Sequence, residues 1–572
     1  MGGPVELVPT LTSAEIERLF RFGEVCRFAD GERVFETGQP SPGMCVILAG
    51  RIAVSVHDGL GQITPVHEQG PGGFLAELSE LSGIPALFDG TAVGEVEALV
   101  IPAPGLRALM IEEADLGERI MQTLFLRRVH LLKRDAGGVV LIGPSALGDT
   151  VRLQNFFARI SFPCRTLDPA RDQLAAAVVE RYSPQPDDLP LAVCPDGQIL
   201  RNPSEAEIAR ALGMVNRDQI RPVYDVAVVG AGPAGLATAV YAGSEGLSVL
   251  VLDARGFGGQ AGASARIENY LGFPAGVSGR ELTGRAVAQA LKFGVEMMIP
   301  VKVKNLVCHC DDGVHELVLD GEERVRARSV VIASGAKYRR PAIQNLDDFE
   351  GYGVWYWASP IEARLCAGDD IIVVGGGNSA GQGAVFLAGH ASRVRVMIRG
   401  AHLADSMSRY LVDRIEAAPN IELITQAEIV ALSGVPRNRL EQVRWVDRRT
   451  GRETVEPTRN VFLFAGAEPA TQWLTSCGVT LDKSGFVLTG PRCGAEVTAS
   501  LAASVPGVFA VGDVRAGSVK RCGGAIGEGA QVVALLHAYL AAAEGSDVAP
   551  AMPPWQMAAP AAAAPVSSTL SD

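Results

Sequence analysis

Two glycine turns of the same form, about 145 residues apart, constrain the fold more than any other feature of this chain. The first is Gly230-Ala231-Gly232-Pro233-Ala234-Gly235, after an apolar run that begins at Tyr224. The second is Gly375-Gly376-Gly377-Asn378-Ser379-Ala380, after a run that begins at Asp370. Each follows a strand-like segment and opens a helix. Glycines in that setting let backbone approach a pyrophosphate at a helix N-terminus, where unpaired N–H groups attract anions. A single Gly-x-Gly-x-x-Gly also serves ordinary strand-to-helix turns, so the argument rests on the pair. Two such sites in one chain point to hydride exchange between a nicotinamide and a flavin.

The 572 residues suggest three or four domains, and 48% hydrophobic with 20% charged residues suits large cores. The net charge of −13 argues against nucleic acid as a partner. Uncharged runs at 226–244 and 371–392 could mimic membrane spans, but both contain a glycine turn and read as strand, turn and helix, so no membrane partner is expected. The N-terminus reaches Glu6, Glu15 and Glu17 without a secretory signal. Ten scattered cysteines, none in Cys-x-x-Cys and the nearest pair being Cys308-His309-Cys310, suit a reducing cytoplasm. No metal site is expected.

Residues 1–135 read as short strands separated by glycine turns, closed by a helix over 106–133. Through Val34–Gln39 and Gly43–Gly50 this segment resembles the cyclic-nucleotide-binding β-rolls. The resemblance implies a phosphate cassette at 74–89, in which Glu77 would hold a ribose hydroxyl, making it the candidate ligand residue of the module. The cassette arginine is missing: none occurs between Arg51 and Arg107, and Asp89 stands near where a cation is expected. A cyclic phosphate buried there would lose charge-assisted bonds of about 1.5–3 kcal/mol each. The expectation is a docking or dimerising β-roll that binds a cyclic nucleotide weakly or not at all. Residues 138–213 read as β-α-β-α-β-β-α, with helices over 147–160 and 173–182, and Ser204 and Glu207 spaced to cap the last one. That order, with Leu189-Pro190 at the cis-proline position, resembles the glutaredoxin branch of the thioredoxin fold. Its first helix opens at 143–150 without a cysteine, so a scaffold lacking the redox chemistry is expected.

The remaining motifs are Asp253 after 248–252, Gly258-Gly259-Gln260, Arg266 to Asn269, Gly335-Ala336, Gly512-Asp513 and Gly527-Glu528-Gly529. Together with the two glycine turns they resemble the thioredoxin reductase family of flavoproteins. The resemblance implies a discontinuous FAD domain at 222–341 and 460–545 around an NADPH domain at 342–459, and a homodimer. It assigns Gly230, Gly232, Gly235, Asp253, Gln260, Asn269, Gly512 and Asp513 to FAD, and Gly375, Gly377 and Ala380 to NADPH. Arg399, at the end of the second strand of the second nucleotide domain, suits the 2′-phosphate of NADPH, where an acid would favour NADH. The family's adjacent second arginine is replaced by Gly400, and Arg409 is the candidate to supply that charge. From 546 onward an Ala/Pro-rich tail is expected to stay disordered.

The departure from that family lies just before the second turn. Its Cys-x-x-Cys relay positions are held here by Trp357 and Pro360, and Cys366 stands by itself. Cys522, at a helix start after Gly512-Asp513, is the one candidate flavin-proximal thiol, and a helix N-terminus there would lower its pKa. The sequence therefore reads as an α/β protein: two Rossmann-like domains preceded by a β-roll and a small thioredoxin/glutaredoxin-like domain. The expected activity is an FAD- and NADPH-dependent oxidoreductase with an unidentified acceptor. Two alternatives stand beside it: a thioredoxin-disulfide reductase using distant or partner thiols, and a redox or ligand sensor with little turnover.

Overall fold

The computed structural model describes residues 9–133, 137–215, 220–308 and 313–543. The expected tail at 546–572 and Cys310 lie outside the described residues.

The N-terminal unit is an antiparallel six-stranded sheet with the path Glu24–Phe28, Asp89–Ile101, Met44–His57, Ile63–Gln69. Two readings are corrected here. Where short strands separated by glycine turns are expected, residues 44–57 form one strand, because Gly50 (φ 82°) makes an irregularity between the pairs Ala49–Glu97 and Arg51–Val93 and does not reverse the chain. The single helix expected over 106–133 is two helices, Ala103–Glu112 and Ala114–Lys133. The break is at Glu113 (φ −112°, ψ 69°), whose carboxylate binds Arg18 and Arg21. The second helix then packs so closely that a Cβ on Gly117 would lie 2.7 Å from Met110 Cα.

The second unit has a four-stranded sheet ordered Ile199–Arg201, Leu191–Val193, Val139–Ile142, Cys164–Leu167. Its helices are Gly148–Arg159, Gln173–Tyr182 and Glu205–Ala211; Ser204 and Glu207 form the capping box at the last, and Leu189-Pro190 is cis.

The third unit is built on a seven-stranded sheet. Tyr224–Val229 lies parallel to Val249–Leu252 on one side and to Arg324–Ile332 on the other. Val508–Ala510, from far later in the chain, also pairs with Arg324–Ile332, so this unit is discontinuous. Between its halves is a five-stranded parallel sheet: Val354–Trp355, Asn460–Leu463, Asp370–Val374, Arg393–Met397, Ile421–Ile424. The boundary expected at 460 is therefore corrected. Asn460–Leu463 belongs to the second nucleotide sheet, and the chain crosses back at the ribbon of Ala336–Tyr338 with Ala467–Pro469. Periodicity could not separate these short buried strands, since both sheets use continuous apolar runs.

The uncharged runs at 226–244 and 371–392 form strand, turn and helix in the cores of the two sheets. Cys522–Ala543 is long and apolar enough to cross a membrane by composition. It packs along Pro233–Ser244 instead, with Val532, Val533 and Leu536 in the core, and a Cβ on Gly529 would collide with Ala234 O.

Candidate nucleotide sites

The glycines of the first turn divide by role. Gly230 has φ 118°, and a Cβ there would collide with Ala333 O. A Cβ on Gly235 would collide with Gly230 O, so this residue is glycine for helix-to-turn packing. At Gly232 the nearest atom to an added Cβ is Gly259 Cα at 3.9 Å. The protein itself does not require glycine at 232, and the open space beside it is where a pyrophosphate would lie against the start of helix Pro233–Ser244. The second turn repeats the division. Gly375 has φ 141° with Phe464 O 2.6 Å from its would-be Cβ, Ala380 is fully buried, and nothing lies within 4 Å of a Cβ on Gly377. Both turns thus carry a cradle that a side chain would fill and a dinucleotide fits.

Around the first cradle the structure gathers most of the expected residues. Asp253 accepts from Ala231 N at 2.9 Å and from Arg255 N at 2.8 Å, so the acid is tied to the turn itself. Gly258 N donates to Ala231 O at 2.8 Å, and the Gln260 amide donates to Ala336 O. Gly512 (φ 73°) abuts Ala234, its would-be Cβ lying 2.8 Å from Ala234 Cβ, which brings Asp513 to the same place. Asn269 is exposed on the 268–276 loop.

Two side chains near this point were missed by sequence reasoning. Glu528 accepts from Gly512 N at 2.7 Å and pairs with Arg515, fixing the turn that carries Asp513. An acid between the two glycines of Gly527-Glu528-Gly529 was the available signal. Tyr338 packs edge-on against Phe464 of the second nucleotide unit at 5.4 Å; burial pushes its hydroxyl up, with the Asp513 charge adding to this and Ser379 opposing it. It thereby lies where the two nucleotide units meet, which no local pattern reveals. Burial pushes the Asp513 carboxyl up, against Lys520 and with Glu528.

The expectation for Cys522 is corrected. Burial and the Asp513 carboxylate push its thiol up, outweighing the helix N-terminus. At the second cradle, Ser406 donates to Gly376 O at 2.9 Å and Asn378 accepts from Ser408 N at 2.7 Å, so the 399–409 loop folds back beside the turn. Arg399 is exposed there. Arg409 is exposed too, and its charge is engaged by Asp413 at 2.7 Å rather than idle.

Where the family resemblance places a relay, Pro360 opens the helix Pro360–Leu365, capped by Ser359 and Glu362. Glu362 is fully buried; its Oε1 accepts from Trp357 Nε1 at 2.9 Å and from Asn155 Nδ2 at 2.7 Å. Asn155 comes from helix Gly148–Arg159 of the second unit. From the same helix, the Arg159 guanidinium lies 4.9 Å over the Trp357 ring, and Val151 joins the core around Trp355, Ala358 and Ile361.

In the β-roll the Glu77 reading is corrected. Its carboxylate is taken by both Arg128 Nε and Nη2 and accepts from Ser79 N at 3.0 Å, so it is not held out for a ribose. Burial and neighbouring Glu77 push Glu80 up to about 8. Asp89 holds Thr37 N at 2.8 Å and His57 Nδ1 at 2.7 Å. Burial would raise Asp89, but Thr37 N–H and His57 outweigh it and keep the carboxylate low. An ionised acid stands where a phosphate would need a cation.

Residues 224–529 match the family model described as pyridine nucleotide-disulphide oxidoreductase, and residues 25–113 match that of the cyclic nucleotide-binding domain. A thioredoxin reductase of Bacillus subtilis is 30% identical over 323 residues, 56% of this chain and 95% of that protein. One from Listeria innocua is 29% identical over 307 residues, 54% of this chain and 91% of that protein. The crystal structure of Lactococcus lactis thioredoxin reductase in its FR conformation is 26% identical, with a TM-score of 0.51 covering 56% of this chain and 99% of that one. With two glycine cradles on two sheets, spanned by a match to more than half its length, this chain belongs to the pyridine nucleotide-disulphide oxidoreductase family, in a thioredoxin reductase-like form behind a cyclic-nucleotide-binding-type β-roll.

Proposed function

We propose that the chain is an NADPH oxidoreductase that delivers electrons to an acceptor outside itself, with no internal Cys-x-x-Cys relay. FAD and NADPH are the cofactors, and when bound they supply two-electron hydride chemistry. Gly232 and Gly377 leave room for the two pyrophosphates, Asp253 and Asp513 stand ready for hydroxyls at the first site, and Tyr338 packs against Phe464 between the two units. Arg399 is the cation that would select a 2′-phosphate. A homodimer is part of the same reading, to be checked by sedimentation.

The observation that carries the proposal is the relay position itself: Trp357 and Pro360 stand there, and Asn155 and Arg159 of the second unit cover it. Anaerobic titration with NADPH should consume about two electrons per FAD, where a coupled disulfide would raise this to about four. Turnover with a small artificial acceptor should survive Cys366→Ser and Cys522→Ser. Uptake of four electrons, or loss of turnover in either variant, would make a disulfide reductase the better reading. A screen of NADPH-reduced protein against thioredoxin, ferredoxin, quinones, free flavin and oxygen identifies the acceptor.

A further inference from the structure

Two thiols meet on the first nucleotide unit, away from every group used above. Cys308 follows the edge strand Val303–Val307, and Cys477 follows the short helix Gln472–Leu474. The two segments are stapled side by side, Ser476 Oγ donating to Asn305 Oδ1 at 2.6 Å. Cys477 is 7% exposed in the apolar core of the unit, and Cys308 packs against that core from the more exposed side. The Cys477 S–H reaches Leu474 O at 3.2 Å. The Cys308 thiol, and after it the Val479 N–H, favour its thiolate form against burial.

We propose that Cys308 and Cys477 are a redox-active dithiol, which a hydroperoxide oxidises to a reversible disulfide that locks the edge strand onto the segment after the 472–474 helix. One sulfur, as thiolate, attacks the peroxide: the O–O bond breaks, a sulfenic acid forms, and the second oxygen leaves as water or an alcohol. The other sulfur displaces the sulfenic oxygen as water, breaking S–O and forming S–S. Two electrons pass from the thiols to the peroxide, and with hydrogen peroxide the products are one disulfide and two waters.

The surroundings single this pair out among the buried thiols. The Cys308 thiol beside it, against burial, holds Cys477 below the usual thiol range. Burial drives Cys45 and Cys194 up to about 12 and Cys366 to about 11. A thiolate is the nucleophile toward a peroxide, and the contact between the two thiols favours one within the pair. The pair is remote from the nucleotide. Val307 is level with Glu316 and Arg326, one residue before the register of Tyr224, at the start of the strand whose far end leads into Gly230. A six-residue strand puts the thiols roughly 20 Å from the glycine turn.

The test uses the full FAD-loaded chain, exposed to hydrogen peroxide, quenched by alkylation and mapped without reduction by mass spectrometry. The expected result is a peptide pair joined through Cys308 and Cys477, two hydrogens lighter, released by dithiothreitol and missing in Cys308→Ser. Cys308 is the more exposed partner, so that variant keeps the test alive if Cys477→Ser does not fold. A bridge from either residue to Cys310, or full alkylation of both thiols after peroxide has oxidised other cysteines, would overturn the proposal. The peroxide-treated chain should still take two electrons per FAD from NADPH. Four would leave the disulfide standing and overturn instead the absence of a thiol relay.

Discussion

Gly232 and Gly235 lie three residues apart in one motif, yet substitutions at them should fail in different ways. A Cβ at 232 meets only Gly259 Cα at 3.9 Å, while one at 235 collides with backbone. Gly232→Val should therefore fold but lose flavin. Crowding of about 1–3 kcal/mol at the pyrophosphate corresponds to roughly 5–150-fold weaker FAD, read by flavin fluorescence on reconstitution. Gly235→Ala should instead lower the thermal midpoint of the apo chain. Full flavin occupancy in Gly232→Val would remove this turn from the FAD site. Arg399→Ala should weaken NADPH by roughly 10–150-fold, the worth of a charge-assisted contact, and leave NADH unchanged in stopped-flow reduction. Equal losses would rule Arg399 out. Arg409→Ala should matter less, since Asp413 already holds that side chain.

Among the elements, helix Ala114–Lys133 does what the cassette of the β-roll does not. Its Arg128 fills the Glu77 carboxylate, and its Arg127 donates to Phe74 O at 2.9 Å and Ala76 O at 3.1 Å. The Glu77 carboxylate and the carbonyls of Phe74 and Ala76 are thus all engaged by this helix, which supports reading the cassette as plugged. Removing one partner of a buried ion pair costs about 3–5 kcal/mol, so Glu77→Ala should destabilise the β-roll by that amount in denaturant unfolding. Cyclic AMP should give no heat in calorimetry with the unaltered chain. Micromolar binding would require Arg128 to leave Glu77 and would overturn the plugged-site reading.

Across the whole molecule, helix Gly148–Arg159 is the brace between units. Asn155 and Arg159 reach Glu362 and Trp357 of the second nucleotide unit, and Arg159 Cβ lies 3.0 Å from a would-be Cβ on Gly256 of the first. Asn155→Ala should cost about 1.5–3 kcal/mol, the range for a hydrogen bond to a charged group. Arg159→Ala should cost about 0.5–2 kcal/mol through the lost stacking on Trp357. Guanidinium unfolding followed by tryptophan fluorescence reads both. No change in either variant would show that the second unit does not hold the relay position.

The local patterns were legible because each is enforced within a few residues. A glycine turn before a helix, an acid ending a strand and a Ser204-to-Glu207 cap are short-range requirements of backbone geometry, and the sequence displays them. Family and paired cradles followed from them. Long-range packing decided the rest. Asn460–Leu463 joined the second sheet through strand pairing that its own apolar run could not specify. Glu77 was closed by an arginine 51 residues away, and Trp357 was covered by a helix some 200 residues earlier. The Cys522 thiol rose where a helix start alone would lower it, because burial beside Asp513 is a property of the assembled core. Charge partners and desolvation depend on which distant segments meet, and only the tertiary structure brings those segments together.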